Sequence, residues 1–144
     1  MKLKIGEKEL NIKFGYKATV KTRILSKMVR LERTLNSNND VESLEDLLAF
    51  LPECLLVGLQ VNHEEYRYNY DTKEGEDEQL DKAFALIEEY FDGEDADIMT
   101  LFQQLEKEMF ENGFLKKLFQ EEKKKLEQTE ETAQPKLEVV ESEN

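Results

Sequence analysis

The chain has 144 residues, 37% of them charged, and carries a formal net charge of −13. That length accommodates one domain and an arm, and the acidic total opposes the clustered cations that nucleic-acid phosphates require of a binder. The lone Cys54 excludes an internal disulfide, no apolar run approaches the roughly 20 residues of a membrane span, and the first six residues lack a signal peptide's apolar stretch, so a reducing cytosol is the expected compartment.

Residues 2–14 alternate, with Leu3 and Ile5 before Gly6 and Leu10, Ile12 and Phe14 after it; this period of two predicts a β-hairpin turning at Gly6-Glu7-Lys8. From Tyr16 the period changes. Val20, Ile24, Met28, Leu31 and Leu35 recur at spacings of four and three, predicting one helix with these residues inward and Arg23, Lys27, Arg30 and Arg33 as a cationic stripe opposite. Asn36-Ser37-Asn38-Asn39-Asp40 reads as a loop, and Ser43 followed by Asp46 has the capping-box spacing that opens a second helix. Leu44, Leu47, Leu48, Leu51, Leu55 and Leu59 give that helix an apolar stripe, the most buried part expected, with Pro52 kinking it or starting a new first turn.

Tyr66, Tyr68 and Tyr70 alternate through a polar stretch ending in Asp71-Thr72-Lys73-Glu74-Gly75, which predicts a loop or short extended piece. A third helix is expected from near Asp77, with Leu80, Phe84, Ile87 and Phe91 inward and a left-handed Gly93 at its end. A fourth starts near Asp95 to Asp97, carries Ile98, Leu101, Phe102, Leu105 and Met109, and breaks or bends at Asn112-Gly113 before Phe114 to Phe119. The expected fold is mainly α (α+β): an N-terminal β-hairpin and a bundle of about four α-helices in residues 1–120, then a charged tail, 121–144, whose residues 127–144 are expected to be disordered.

Chemistry-bearing patterns are sparse. His63, the only histidine, lacks the second histidine four residues on that a helical zinc site supplies, and reads as a solvated loop residue. Cys54 sits among Leu51, Leu55 and Leu56 and reads as a small core hydrophobe. The glycines form no phosphate-cradling loop, and Asp92, Glu94, Asp95 and Asp97 lack the order of a calcium loop. No catalytic, cofactor-binding or metal-binding residue is expected.

Charge is divided by position. Residues 1–33 hold ten Lys and Arg against three Glu, net +7, whereas residues 34–144 hold ten against thirty Asp and Glu, net −20. Opposite fields on one chain favour association, and contact between the cationic stripe of one copy and the acidic helices of the next predicts self-association. The candidate protein-binding residues are Arg23, Lys27, Arg30 and Arg33, with Leu55, Leu59, Phe102, Met109 and Phe114 from the apolar stripes.

The order of these elements resembles a known family. The opening Lys2-Leu3-Lys4-Ile5-Gly6-Glu7-Lys8-Glu9-Leu10-Asn11-Ile12-Lys13-Phe14-Gly15-Tyr16-Lys17-Ala18 is similar to the start of the tail assembly chaperones of long-tailed bacteriophages. Leu44-Glu45-Asp46-Leu47-Leu48 through Leu59 resembles that family's leucine-rich second helix, and Asp77-Glu78-Gln79-Leu80-Asp81 through Glu89 its acidic third helix. The resemblance covers residues 2 to about 119 in pattern, with Pro52 and the tyrosine-rich stretch departing from it. It implies a non-enzymatic protein without cofactors that coats the tape measure protein before the tail tube polymerises. It also implies a longer frameshifted form that recruits the tail tube protein, action in the cytoplasm of the bacterial host, and absence from the mature virion. The other expectation the residues leave open is an acidic inhibitory adaptor, or nucleic-acid mimic, that binds a basic partner protein.

Overall fold

In the computed structural model, which describes residues 1–37 and 40–116, the chain opens with β1 (Lys2–Ile5) and β2 (Lys8–Asn11), an antiparallel hairpin pairing Leu3 with Leu10. Gly6 turns it at φ 61, an angle that costs a residue with a Cβ about 1 to 2 kcal/mol and glycine little. The alternation does what period two requires: Leu3, Ile5, Leu10, Ile12 and Phe14 are all buried. The expected tail, 121–144, and its part 127–144 lie outside the described residues.

The helix expected from Tyr16 is two helices, α1 (Tyr16–Thr22) and α2 (Ile24–Ser37), divided by Arg23 in the left-handed conformation at φ 60 and ψ 27. This break resets the helical phase. Ala18 and Thr19 become the buried residues of α1, and Val20, expected inward, is 50% exposed. In α2 the expected period holds, with Ile24, Met28 and Leu31 buried.

Helix α3 (Val41–Leu59) starts two residues ahead of Ser43, because the Asp40 side chain accepts from the Ser43 N–H at 2.9 Å and is the N-cap in its place. It runs as one helix through Pro52, which is buried and has no N–H to donate to the Leu48 carbonyl. Every residue from Cys54 to Leu59 is buried, and α3 is the hub on which α2, α4 (Glu76–Phe91) and α5 (Ile98–Glu111) pack. The hairpin joins it through the Lys13 N–H, which donates to the Gly58 carbonyl at 2.9 Å; a Cβ on Gly58 would meet Ile12 Cγ2 at 2.6 Å, so this approach requires glycine.

The first turns of α3 depart from expectation. Leu44 and Leu48 are each 43% exposed, since α2 lies along the other side of the helix, over Asp46, Ala49, Phe50 and Glu53. At the far end the carbonyls find donors: Gln60 Nε2 donates to Leu56 O and Tyr66 O, and Arg67 donates to Gln60 O at 2.8 Å and Val61 O at 2.7 Å. Tyr70 Oη donates to Gln60 Oε1 at 3.1 Å, so the tyrosine-rich loop, a 3₁₀ turn at Glu64–Tyr66 and irregular chain beyond it, ties off the central helix.

Three carboxylates, Glu76, Asp77 and Glu78, fill the first turn of α4, where the macrodipole favours them. Its inward arc is Ala83, Leu86 and Ile87; Phe84 and Phe91, expected inward, lie beyond the edge of that arc at 45% and 37% exposure. Gly93 is not left-handed, because the helix ends on the Asp92 N–H, which reaches back to the Glu88 and Glu89 carbonyls. Asp97 caps α5 by accepting from the Met99 and Thr100 N–H groups. Helix α5 stops at Asn112, and a 3₁₀ turn at Gly113–Leu115 follows with Gly113 at φ 79.

The N-terminal ammonium of Met1 donates to Ile12 O at 3.0 Å and to the buried Glu108 Oε1 at 2.8 Å, tying the hairpin to α5. Among the described residues no helix is long and apolar enough to cross a membrane.

Candidate functional site

Of the four expected cations, Arg23 stands at the α1–α2 break, and the other three lie on α2. Lys27 and Arg30 line the cleft between α2 and α3, a space of about 360 Å³ floored by Leu31, Ala49 and Phe50, whereas Arg23 and Arg33 stand outside it. Asp46 and Glu53 share that lining, and Lys27 pairs with Glu53 at 3.2 Å, both half exposed. The stripe is therefore neither continuous nor of one sign, and such an exposed pair contributes about 0 to 1 kcal/mol.

The apolar candidates divide as well. Leu55, Leu59, Phe102 and Met109 are 0%, 0%, 2% and 1% exposed, so they belong to the core and no partner reaches them in this fold. Phe102 meets Phe50 edge to face there, with ring centroids 6.1 Å apart. Phe114 is different: it is 40% exposed and packs edge-on against Tyr16, with ring centroids 5.2 Å apart.

Three further surfaces emerge that periodicity did not predict. On α3, Val41, Leu44 and Leu48 recur at three and four and are 72%, 43% and 43% exposed, an open apolar stripe along two helical turns. On α1, Tyr16 and Val20 share a face one turn apart at 69% and 50% exposure, with Phe114 beside Tyr16. On α4, Phe84 and Phe91 stand in one row with Asp77, Asp81 and Glu88. The sequence signal for the α4 row is a four-three repeat that alternates rings with carboxylates, whereas the expectation placed Phe84 and Phe91 inward; a stripe facing a core does not carry three charges.

The chemistry-bearing side chains have structural partners. His63 is held in the fold: its Nε2 accepts the Asn11 N–H at 2.9 Å, capping the open edge of β2, where Asn62 Nδ2 also donates to Asn11 O at 3.4 Å. Cys54 is wholly buried, and burial, with the Glu53 charge second, pushes its thiol far above its ordinary value. Tyr68 lines the junction of α2, α3 and α4, a space of about 230 Å³, and burial, then Glu76, raises its hydroxyl to about 12. Glu106 faces Glu32 of α2: partial burial first, then a shared hydrogen bond and charge, lift its carboxyl to about 7. Among the described residues no group of three or more His, Cys, Asp or Glu is arranged to hold a metal ion.

The arrangement offers exposed apolar helix faces and charged rims, which suits contact with other polypeptides. No family model, curated protein or solved structure matches this chain.

Proposed function

We propose that this protein is a non-enzymatic tail assembly chaperone of a long-tailed phage or prophage, acting in the host cytoplasm to bind and shield the tape measure protein. The observation that carries this reading is the open stripe Val41, Leu44 and Leu48 on α3. Apolar side chains at three and four residue spacing on a rigid helix complement the apolar face of a partner helix, the chemistry of a long helical client. The sequence resemblance of the hairpin, the leucine-rich helix and the acidic helix to that chaperone family supports the same reading, as does the presence of these three elements in the fold. Modest contact area suits this role, because a chaperone must leave when the tube arrives, and several copies along one client raise retention through effective concentration. A longer frameshifted product would deliver the tail tube protein to the same client.

The test is co-expression with the tape measure protein of the same phage or prophage. The expected result is a soluble, co-purifying complex with the unmodified chain and loss of that complex with Leu44→Ser/Leu48→Ser. An insoluble client in both cases overturns the proposal. The row of carboxylates on α4 favours one second reading, an acidic adaptor or nucleic-acid mimic. That reading requires capture of a basic nucleic-acid-binding protein with steep salt dependence and no effect on the client.

A further inference from the structure

We infer that the outer edge of β1 is a docking site for a segment of this same chain, residues 137–140, which pairs with it as a third, antiparallel strand. The two edges of the hairpin differ. Ile12 N–H donates to Met1 O at 2.8 Å and the Met1 ammonium donates to Ile12 O at 3.0 Å, so these two residues exchange both bonds of a pair. Antiparallel alternation then turns the N–H and C=O groups of Leu3 and Ile5 toward β2, and those of Lys2 and Lys4 away from it. On the β2 edge His63 and Asn62 meet the outward groups of Asn11. On the β1 edge the outward groups of Lys2 and Lys4 have no hydrogen-bond partner among the described residues, and both side chains are exposed there without an ion pair. Such an edge is a template for an extended segment.

The segment that fits it lies outside the described residues. Within 127–144 the large apolar side chains are Leu137, Val139 and Val140, two of them β-branched, and Pro135 ahead of them opposes a helix. In β1, Leu3 and Ile5 are buried and the lysines point outward. Run antiparallel, Leu137-Glu138-Val139-Val140 sets Leu137 beside Ile5 and Val139 beside Leu3 on the core side, with Glu138 beside Lys4 on the outer side. Lys4 then stands between Glu138 and Glu9, its neighbour on β2. The register is selected by what the others misplace. A shift of one residue turns Glu138 toward the core, and a shift of two sets Lys136 against Lys4 or turns Glu141 toward the core. A parallel run with Glu138 at Lys4 sets Lys136 against Lys2.

The connection is long enough. The described chain ends at Lys116, soon after Gly113, where a Cβ would meet the Phe14 carbonyl at 3.7 Å, so it leaves the body beside the end of the hairpin. Residues 117–135 can span about 60 Å when drawn out, twice the roughly 28 Å length of α3. Covalent attachment supplies an effective concentration of about millimolar, so a short strand whose pairing is weak in isolation can still occupy the edge.

The contact concerns the hairpin and the chain's own tail, so it stands or falls independently of client binding on α3. Amide hydrogen exchange on the full chain tests it at the Lys4 N–H, which pairs with the Glu138 carbonyl in the assigned register. The Leu3 and Ile5 amides, which donate to β2, report that the hairpin is folded in every variant. The Lys4 amide should exchange about tenfold more slowly in the unmodified chain than in Val140→Pro, where the N–H that would reach Lys2 O is gone. Glu138→Lys should speed its exchange, and Lys4→Glu/Glu138→Lys should restore the protection. Equal exchange in the unmodified chain and Val140→Pro would overturn the proposal, as would a double variant that exchanges as fast as Glu138→Lys. Protection that grows with protein concentration would overturn it too, by assigning the edge to a segment of another molecule.

Discussion

Two carboxylates carry opposite lessons about burial. Glu108 is 6% exposed and pairs with the Met1 ammonium at 2.8 Å, with Asn112 Nδ2 donating to the same oxygen at 2.9 Å. Removing one partner of such a pair strands the other, so Glu108→Ala should cost about 3 kcal/mol in denaturant unfolding, whereas a loss under about 0.5 kcal/mol would mean that water serves the ammonium equally well. Glu106 gains nothing from ionising, since burial and Glu32 hold its carboxyl at about 7 against an ordinary value of 4.5. A folded value above the unfolded one means that this contact's stabilisation is complete below the ordinary carboxylate range and is lost as pH rises through neutrality. Heating scans from about pH 5 to about pH 8 should therefore show Glu106→Gln gaining on the unmodified chain as pH rises, and parallel curves would remove Glu32 as its partner.

At the scale of elements, one residue decides the layout of the first helices. Arg23 occupies left-handed space at φ 60, a conformation that costs a residue with a Cβ about 1 to 2 kcal/mol. Arg23→Gly should raise stability by up to about 1 kcal/mol, net of the extra freedom glycine gives the unfolded chain, while Arg23→Val should lower it; equal midpoints for the two would show that the break holds no strain. The same residue marks where reading from sequence stops. The hairpin, the buried leucines of the second half of α3 and the start of α5 near Asp95 to Asp97 were legible because period two, period 3.6 and acidic residues at a helix start are local signals. A left-handed arginine has no local signature, so Val20 was assigned to the wrong face. Phe84, Phe91, Leu44 and Leu48 were misplaced for a related reason: periodicity identifies an apolar side of a helix but not how much of that side its neighbours cover. Of the expected apolar binding residues, Phe114 alone lies on a surface, and the remaining four are interior.

The whole molecule is a small helical body stapled by a hairpin, with a central helix buried in its second half and open in its first. Its reactive side chains are committed to structure: His63 caps a strand edge and Cys54 fills the core. What remains outward on α1, α3 and α4 is apolar stripes and charge. The role proposed for the open half of α3 is to shield an apolar helical client. Light scattering of the tape measure protein, diluted out of denaturant into increasing amounts of this chain, measures that most directly. If that half shields the client, scattering falls to baseline at several copies per client and Leu44→Ser/Leu48→Ser abolishes the effect. Scattering that stays unchanged at large excess of the unmodified chain, or that the variant suppresses equally well, would contradict it.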